Sequence, residues 1–236
     1  MNKFIAGDPI GAAILEYAVK RKPADIIVCS DICEDDIIPV EVLFRSYDEM
    51  PEIEKIALEK CTGRVLDVGA GAGVHALELM ENGHDIVAID VSEGAVSHMR
   101  SKGIDARMIS FENLKHEKFD TILMLMNGIG IAGKLSNLSS FLKHAASLLN
   151  PGGKIICDSS DIKYLYMDDE GYMWVDLNTE YYGNFRFQMK YKKDKSAWFN
   201  WLYVDFESLF EAAKKAGLKA ERIEEAEDHY LAEIRI

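Results

Sequence analysis

Cysteine is scarce in this chain, with four residues in 236, at positions 29, 33, 61 and 157. Cys29, Cys33, Cys61 and Cys157 form no paired framework of the kind that staples a small secreted fold. Nor do they make two close pairs at zinc-site spacing, so no metal is expected and the thiols read as ordinary residues of a reduced cytoplasm. Positive charge is also in deficit. Lys and Arg number 27 against 40 Asp and Glu, a formal net charge of -13, which argues against an extended nucleic-acid footprint. Long apolar runs are missing too. The longest, TILMLMNGIGIA at 121–132, is too short to span a bilayer and is broken by Asn127, Gly128 and Gly130, so no membrane partner is expected. There is no solenoid-type repeat. What remains, at 48% hydrophobic and 28% charged residues, is one globular domain with decorations.

From residue 63 onward the pattern repeats an apolar strand, a loop, an amphipathic helix and a glycine. Strands are expected at about 64–68, 85–90, 105–109, 119–125 and 153–158, with helices at about 74–82, 93–102 and 136–149. Glycines at 83, 103, 152 and 217 fall where left-handed C-caps end helices. Such alternation implies an α/β fold, a doubly wound and mainly parallel sheet whose ligands sit at the carboxyl ends of its strands. Residues 1–62 read as an N-terminal helical cap. Asp8-Pro9 opens one helix to about residue 20 and Met50-Pro51 opens a second, while 25–43 fits strand or helix equally. Residues 160–204 break the pattern and hold all three tryptophans, Trp174, Trp198 and Trp201. FRFQMKYK at 185–192 alternates strictly, as a half-buried antiparallel strand does, with 172–177 and 197–203 as expected partners. Asp205 caps a helix to about 216, and KAERIEE with LAEIRI forms a closing hairpin.

The most informative stretch is VLDVGAGAG at 65–73. Val65, Leu66 and Val68 carry one acid, Asp67, into glycines at 69, 71 and 73 and then into an amphipathic segment. This is a strand, a glycine loop and a helix start, the arrangement that brings backbone amides up to a nucleotide. A dinucleotide fingerprint places glycines at relative positions one, three and six. Here the sixth position is Val74, which weakens a nicotinamide reading.

An acid two residues before the first glycine, glycines at positions one, three and five, and a second acid, Asp90, closing the next strand in IVAIDVS resemble the class I S-adenosylmethionine-dependent methyltransferases. The resemblance runs from about residue 63 to the C-terminus. It implies a seven-stranded sheet with a C-terminal antiparallel hairpin, a methyltransferase domain over 63–236, and S-adenosylmethionine as cofactor. It further implies that Gly69, Ala70 and Gly71 pack against the methionyl part and that Asp90, followed by Val91, accepts hydrogen bonds from the ribose hydroxyls. Asp67 would order the loop and, through water, the cofactor amine. Many members carry an acid after the third strand; this chain has Ser110-Phe111-Glu112, where Phe111 is expected to cover the adenine and to bond its ring through the backbone amide, and Ser110 to replace the acid. Asn127 ends the fourth strand beside the expected methyl group. Arg45 would pair with the cofactor carboxylate if the N-terminal segment folds over it.

Catalysis is less legible, because in-line methyl transfer asks the protein mainly to align its partners. The candidates are His75 after the glycine loop, Asn127, Asp158 at the fifth strand and Tyr164, with Tyr166 and Tyr172 beside them. Asn-Gly-Ile-Gly at 127–130 lacks the prolyl-prolyl-aromatic motif of nucleobase amino-methylation. A magnesium site on Asp158 and Asp161 is the alternative for catechol-type chemistry. The expected reaction is methylation of a small-molecule acceptor covered by the aromatic insert after the fifth strand. Its rivals are a nucleic-acid or protein methyltransferase, an NAD-dependent oxidoreductase, and a non-catalytic binder of the cofactor.

Overall fold

The computed structural model describes residues 7–168, 170, 172 and 180–236. In chain order the elements are α1 (Pro9–Lys20), β1 (Asp25–Ser30), β2 (Asp36–Pro39), α2 (Glu52–Glu59), β3 (Arg64–Val68), α3 (Val74–Glu81) and β4 (Asp85–Asp90). There follow α4 (Glu93–Ser101), β5 (Asp105–Met108), β6 (Phe119–Met124), α5 (Leu135–Ser147) and β7 (Leu149–Ser160). The chain closes with β8 (Asn184–Tyr191), β9 (Asp194–Lys195), β10 (Phe199–Leu202), α6 (Phe206–Ala216), β11 (Lys219–Ala226) and β12 (His229–Arg235).

The main sheet has seven strands in the order β11-β12-β7-β6-β3-β4-β5. Neighbours from β7 to β5 pair parallel, and β12 is antiparallel to both β7 and β11. Side chains alternate along each strand, so each strand sends one set to each face. Leu66, Val68, Ile89, Ile122, Met124 and Ile155 pack with Leu138 and Leu142 of α5 and Leu209 of α6. Val65, Ile86, Ala88, Leu123, Ile156 and Leu231 pack with α2, α3 and α4 through Ala57, Ala76, Leu79 and Met99. Each fully buried aliphatic side chain of this kind is worth about 1.5–3 kcal/mol. By register, Asp67, Asp90, Asp158 and His229 all fall on the face that carries α2–α4. These four lie at or near the carboxyl edge of that face, while Thr121, Lys154 and Glu233 carry polar groups on it further from that edge.

The N-terminal segment is not purely a helical cap. Its residues 25–43, open to either reading, supply β1 and β2, and these join the insert in a second sheet of order β10-β8-β1-β2, with β9 paired to β8. The alternating strand is β8, with Phe185, Phe187 and Tyr191 buried. One partner is the expected β10; the other is β1, which pairs Ile27 with Lys190 and Ser30 with Phe187. Tyr172 apart, the expected partner at 172–177 lies outside the described residues. Gly152 also departs from expectation. The helix before it ends at Ser147, and Gly152, at φ +79°, sits inside β7 where pairing with β6 shifts register.

The two sheets are joined at both ends. On one side α1 lies on α4, with Gly11 against Gly94, and the Asp8 carboxylate serves both helices. Its Oδ1 accepts from Gly11 N at 2.9 Å, and its Oδ2 accepts from Ser92 Oγ at 2.9 Å and Gly94 N at 3.0 Å. On the other side Trp201 of β10 packs on Gly130 after β6, Val204 N donates to Ser159 Oγ at 3.0 Å, and Leu135 N donates to Asn184 Oδ1 at 2.9 Å. The second sheet thus arches over the carboxyl edge of the first. A Cβ on Gly94 would lie 2.5 Å from Gly11 Cα, backbone that cannot yield. Gly94→Ala is therefore expected to lower stability by roughly 1–3 kcal/mol, seen as a lower urea midpoint; an unchanged midpoint would show that the α1–α4 contact is not tight.

Candidate functional site

The glycine loop leaves β3 at the centre of the main sheet. Gly69, Gly71 and Gly73 have φ of +71°, +56° and +82°, all left-handed values that favour glycine. Gly69 N and Ala70 N donate to Ile89 O at 2.9 and 3.2 Å, tying the loop to the end of β4. A Cβ on Gly71 would meet nothing within 4 Å, so the loop's outer surface faces open space there. A Cβ on Gly73 would lie 2.7 Å from Met99 Cγ, so that glycine serves helix packing.

Two carboxylates lie beneath and beside this loop. Asp90, the last residue of β4, accepts from Gly71 N at 2.9 Å on Oδ2 and from Ser92 N at 2.8 Å on Oδ1. Burial raises its pKa, the Ser92 and Gly71 amides oppose that, and the charge of Asp8 adds to it. A carboxylate has about four acceptor sites, so acceptor capacity remains. Asp67 is 2% exposed, and its Oδ2 is buried with no hydrogen-bond partner. Burial pushes its carboxyl up to about 6, His75 and the Ala76 amide pull it down, and the charge of Asp90 pushes it up. An orphaned buried carboxylate oxygen is costly unless a donor or a cation meets it.

His75, a candidate base, is buried in a charged cluster instead. Its Nε2 lies 2.8 Å from Glu54 Oε2 and 3.5 Å from Arg45, and Arg45 also pairs with Glu54. Burial pushes the Glu54 carboxyl up, but the His75 and Arg45 hydrogen bonds outweigh it and hold it below the ordinary range. Arg45 donates to Val42 O as well, and its Nε is buried without a partner. Arg45 further lines a cavity of about 290 Å³ with Phe44, Ala72, Gly73 and His98.

Phe111 does not present its ring to a nucleotide. It is buried in the core against Phe141 and edge-on to His144, because its short turn points it under α5. Ser110 Oγ accepts from Asn113 at 2.7 Å. Exposed apolar surface beside Asp90 comes from Val91, 72% exposed, and from Met108, its register partner's side chain on β5. Asn127 has φ +59°; its Oδ1 accepts from Ser159 Oγ at 2.9 Å and its Nδ2 donates to Leu202 O at 3.4 Å, so it joins the two sheets. Tyr164 is half-exposed after β7, and Tyr172 is exposed. Tyr166 and the described aromatics Tyr182, Phe185, Phe187, Phe199, Trp201 and Tyr203 fill the core of the second sheet. They hold the arch rather than line an open pocket.

Asp158 and Asp161 do not converge. Asp161 takes Lys163 and Tyr182, whereas Asp158 Oδ1 accepts from Gly128 N at 3.2 Å and its Oδ2 meets His229 Nε2 at 2.9 Å. Among the described residues no group of three or more His, Cys, Asp and Glu gathers as a metal set. His229, Glu54 and the double role of Asp8 escaped the sequence reading. Asp8 carried a partial signal as an N-cap; the other two sit in segments with no motif.

A family model for a methyltransferase domain matches residues 65–153. A solved S-adenosylmethionine-dependent methyltransferase from Bacteroides fragilis, in complex with S-adenosyl-L-homocysteine, is 42% identical, covers 100% of this chain and 98% of its own, and superposes with a TM-score of 0.91. The chain belongs to the S-adenosylmethionine-dependent methyltransferases. Among curated relatives, the cypemycin N-terminal methyltransferase of Streptomyces sp is 30% identical over 41% of this chain and 42% of its own length. The ubiquinone biosynthesis O-methyltransferase of Azorhizobium caulinodans is 32% identical over 39% of this chain and 38% of its own. This methyltransferase chain thus matches about two fifths of each of these two relatives. The CcbJ methyltransferase of Streptomyces caelestis, at 16% identity and a TM-score of 0.61 over 80% of this chain and 94% of its own, shares the fold alone. S-adenosylmethionine is the cofactor. The residues present fit it: the buried Asp67 carboxyl, with Oδ2 unpartnered, suits an ammonium, and open space over Gly71 suits a close approach.

The Asp67 shift has a sign that can be checked. Its folded value, about 6, stands above the ordinary 3.8, so between those values the native state binds more protons and stability falls as the pH rises. Relative to Asp67→Asn, the ligand-free wild type is expected to lose on the order of 1–2 kcal/mol between about pH 5 and pH 7.5. Urea unfolding at the two pH values measures it; parallel behaviour of the two proteins would place Asp67 in water.

Proposed function

We propose that this chain methylates a small-molecule acceptor held between the glycine loop and the second sheet. The observation that carries the reading is the arch itself. β8 and β10 are fixed to the start of α5, the loop after β6 and the end of β7 at one end, and β1 leads back through α1 to α4 at the other. An acceptor must fit beneath it, which suits a small molecule better than a duplex or a folded protein surface. The net charge of -13 supports the same reading against nucleic acid. Of the relatives, the ubiquinone biosynthesis O-methyltransferase and the glycine N-methyltransferase of Mus musculus support this reading by name, whereas the cypemycin N-terminal methyltransferase does not.

In this reading the glycine loop and Asp67 receive the methionyl part of the cofactor, Asp67 Oδ2 taking the ammonium. The buried Arg45 guanidinium, with an unused Nε, receives the carboxylate. Asp90 takes the ribose hydroxyls on its free lone pairs while its amide bonds keep the loop closed, and Val91, Ser110 and Met108 border the adenine. The cofactor supplies an activated methyl group on a sulfonium. The chain's contribution is alignment and exclusion of water: the charged groups fix one partner, and the arch, packed with aromatics, confines the other.

S-adenosylhomocysteine binding by calorimetry tests the cofactor side. Asp90→Ala is expected to weaken it by about 10- to 100-fold, the loss of one to two charge-assisted hydrogen bonds. Wild-type affinity in Asp90→Ala would remove Asp90 from the site. On the acceptor side, methylation of a panel of phenols, amines and quinone precursors with none of a nucleic-acid or protein panel is expected; the reverse preference would overturn the small-molecule reading.

A further inference from the structure

We propose that His229, held by Asp158, takes the proton from a hydroxyl or ammonium acceptor during methyl transfer. The inference rests on the methyltransferase reading above and deepens it. His229 opens β12 opposite Ser160, at the carboxyl edge of β7, and register places it on the same sheet face as Asp67 and Asp90. Asp158 is fully buried, and it spends one oxygen on the Gly128 amide behind Asn127 and the other on His229 Nε2. A carboxylate acceptor makes Nε2 the protonated nitrogen, which leaves the lone pair on Nδ1. Nδ1 has no hydrogen-bond partner among the described residues, and the ring is about one third exposed. A buried carboxylate that orients an imidazole and leaves its other nitrogen free is the arrangement of a general base. His75, in contrast, is buried and committed to Glu54.

The step balances within the two substrates and the chain. The acceptor lone pair forms a bond to the methyl carbon as the carbon–sulfur bond breaks and its electron pair returns to sulfur. From a hydroxyl the proton moves to His229 Nδ1 as that bond forms, and from an ammonium it moves first and frees the lone pair; either gives an imidazolium paired with the Asp158 carboxylate, and solvent later removes the proton. The Asp158 hydrogen bond raises the His229 pKa, burial lowers it, and the charges of Asp158 and Glu54 raise it further. The charged groups around it are Asp158 on β7, Glu54 on α2, Asp228 in the preceding turn, and Asp161, whose amide donates to Asp228 O, with Lys163 beside them.

A test that needs no acceptor compares S-adenosylmethionine with S-adenosylhomocysteine, which differ only in the methyl group and the sulfonium charge. If His229 faces the sulfonium, its protonation repels the first ligand and not the second. The ratio of their affinities, measured by calorimetry on the full chain, is expected to fall about 3- to 10-fold from pH 8 to pH 6 in the wild type. Most of that fall should vanish in His229→Gln, any remainder belonging to Asp67. Asp158→Asn, which lowers the histidine's pKa, should move the fall to lower pH. Superimposable profiles for wild type, His229→Gln and Asp158→Asn would overturn the proposal while leaving the cofactor reading intact; failure of both ligands to bind the wild type would overturn the reading itself.

Discussion

The site depends on burying two acids, Asp67 and Asp90, at the ends of adjacent parallel strands without giving both a countercharge. Asp90 is partly repaid by the amides of Gly71 and Ser92, and this couples its position to the shape of the glycine loop. Asp67 is left with an oxygen that nothing meets. His75 and the Ala76 amide offset its burial only in part, and Arg45 and His75 are themselves drawn to Glu54. The result is a preorganised negative hollow beneath a loop open on its outer side, and in the proposed reading a ligand carrying an ammonium and ribose hydroxyls completes it.

The second sheet is fixed to the carboxyl edge of the first on both sides of that hollow. Its strands come from distant parts of the chain, β1 and β2 before the first helix of the main domain and β8 to β10 after β7. Asp8 is the link, since one side chain caps α1 and reaches the start of α4 two residues beyond Asp90. The second sheet and the end of β4 are therefore mechanically connected: a change at Gly11, Gly94 or Asp8 acts on the arch and on the surroundings of Asp90 together.

The main sheet was legible because its signals are local. Alternating apolar strands, amphipathic helices and glycines at 83, 103 and 217 each report on their own few residues, and Asp67, the glycines and Asp90 follow from one loop and one strand end. The second sheet was only half legible. The alternation of β8 stood out, but its pairing with β1 joins residues some 160 positions apart by backbone bonds that carry no motif. Phe111 was misjudged because an aromatic after a strand serves a core as readily as a ligand, and only the packing of α5 decides. Gly152 was misjudged because a left-handed glycine serves a bulge as readily as a cap. Arg45 and His75 were visible as single residues; their shared dependence on Glu54, itself an ordinary helix-face acid in sequence, was not. His229 lies in a hairpin start with no periodic signal, and it acquires meaning only through the register that brings Asp158 beside it.

The central claim, that an uncompensated carboxylate at Asp67 receives the cofactor's ammonium, is tested most directly by proton linkage. S-adenosylhomocysteine binding is measured near pH 6 by calorimetry in buffers of different ionisation enthalpy. Because an ammonium beside Asp67 lowers a pKa that burial holds at about 6, binding should release a proton, on the order of half a proton per site, and release none in Asp67→Asn. Binding without proton release in the wild type, or equal release in the variant, would contradict the account.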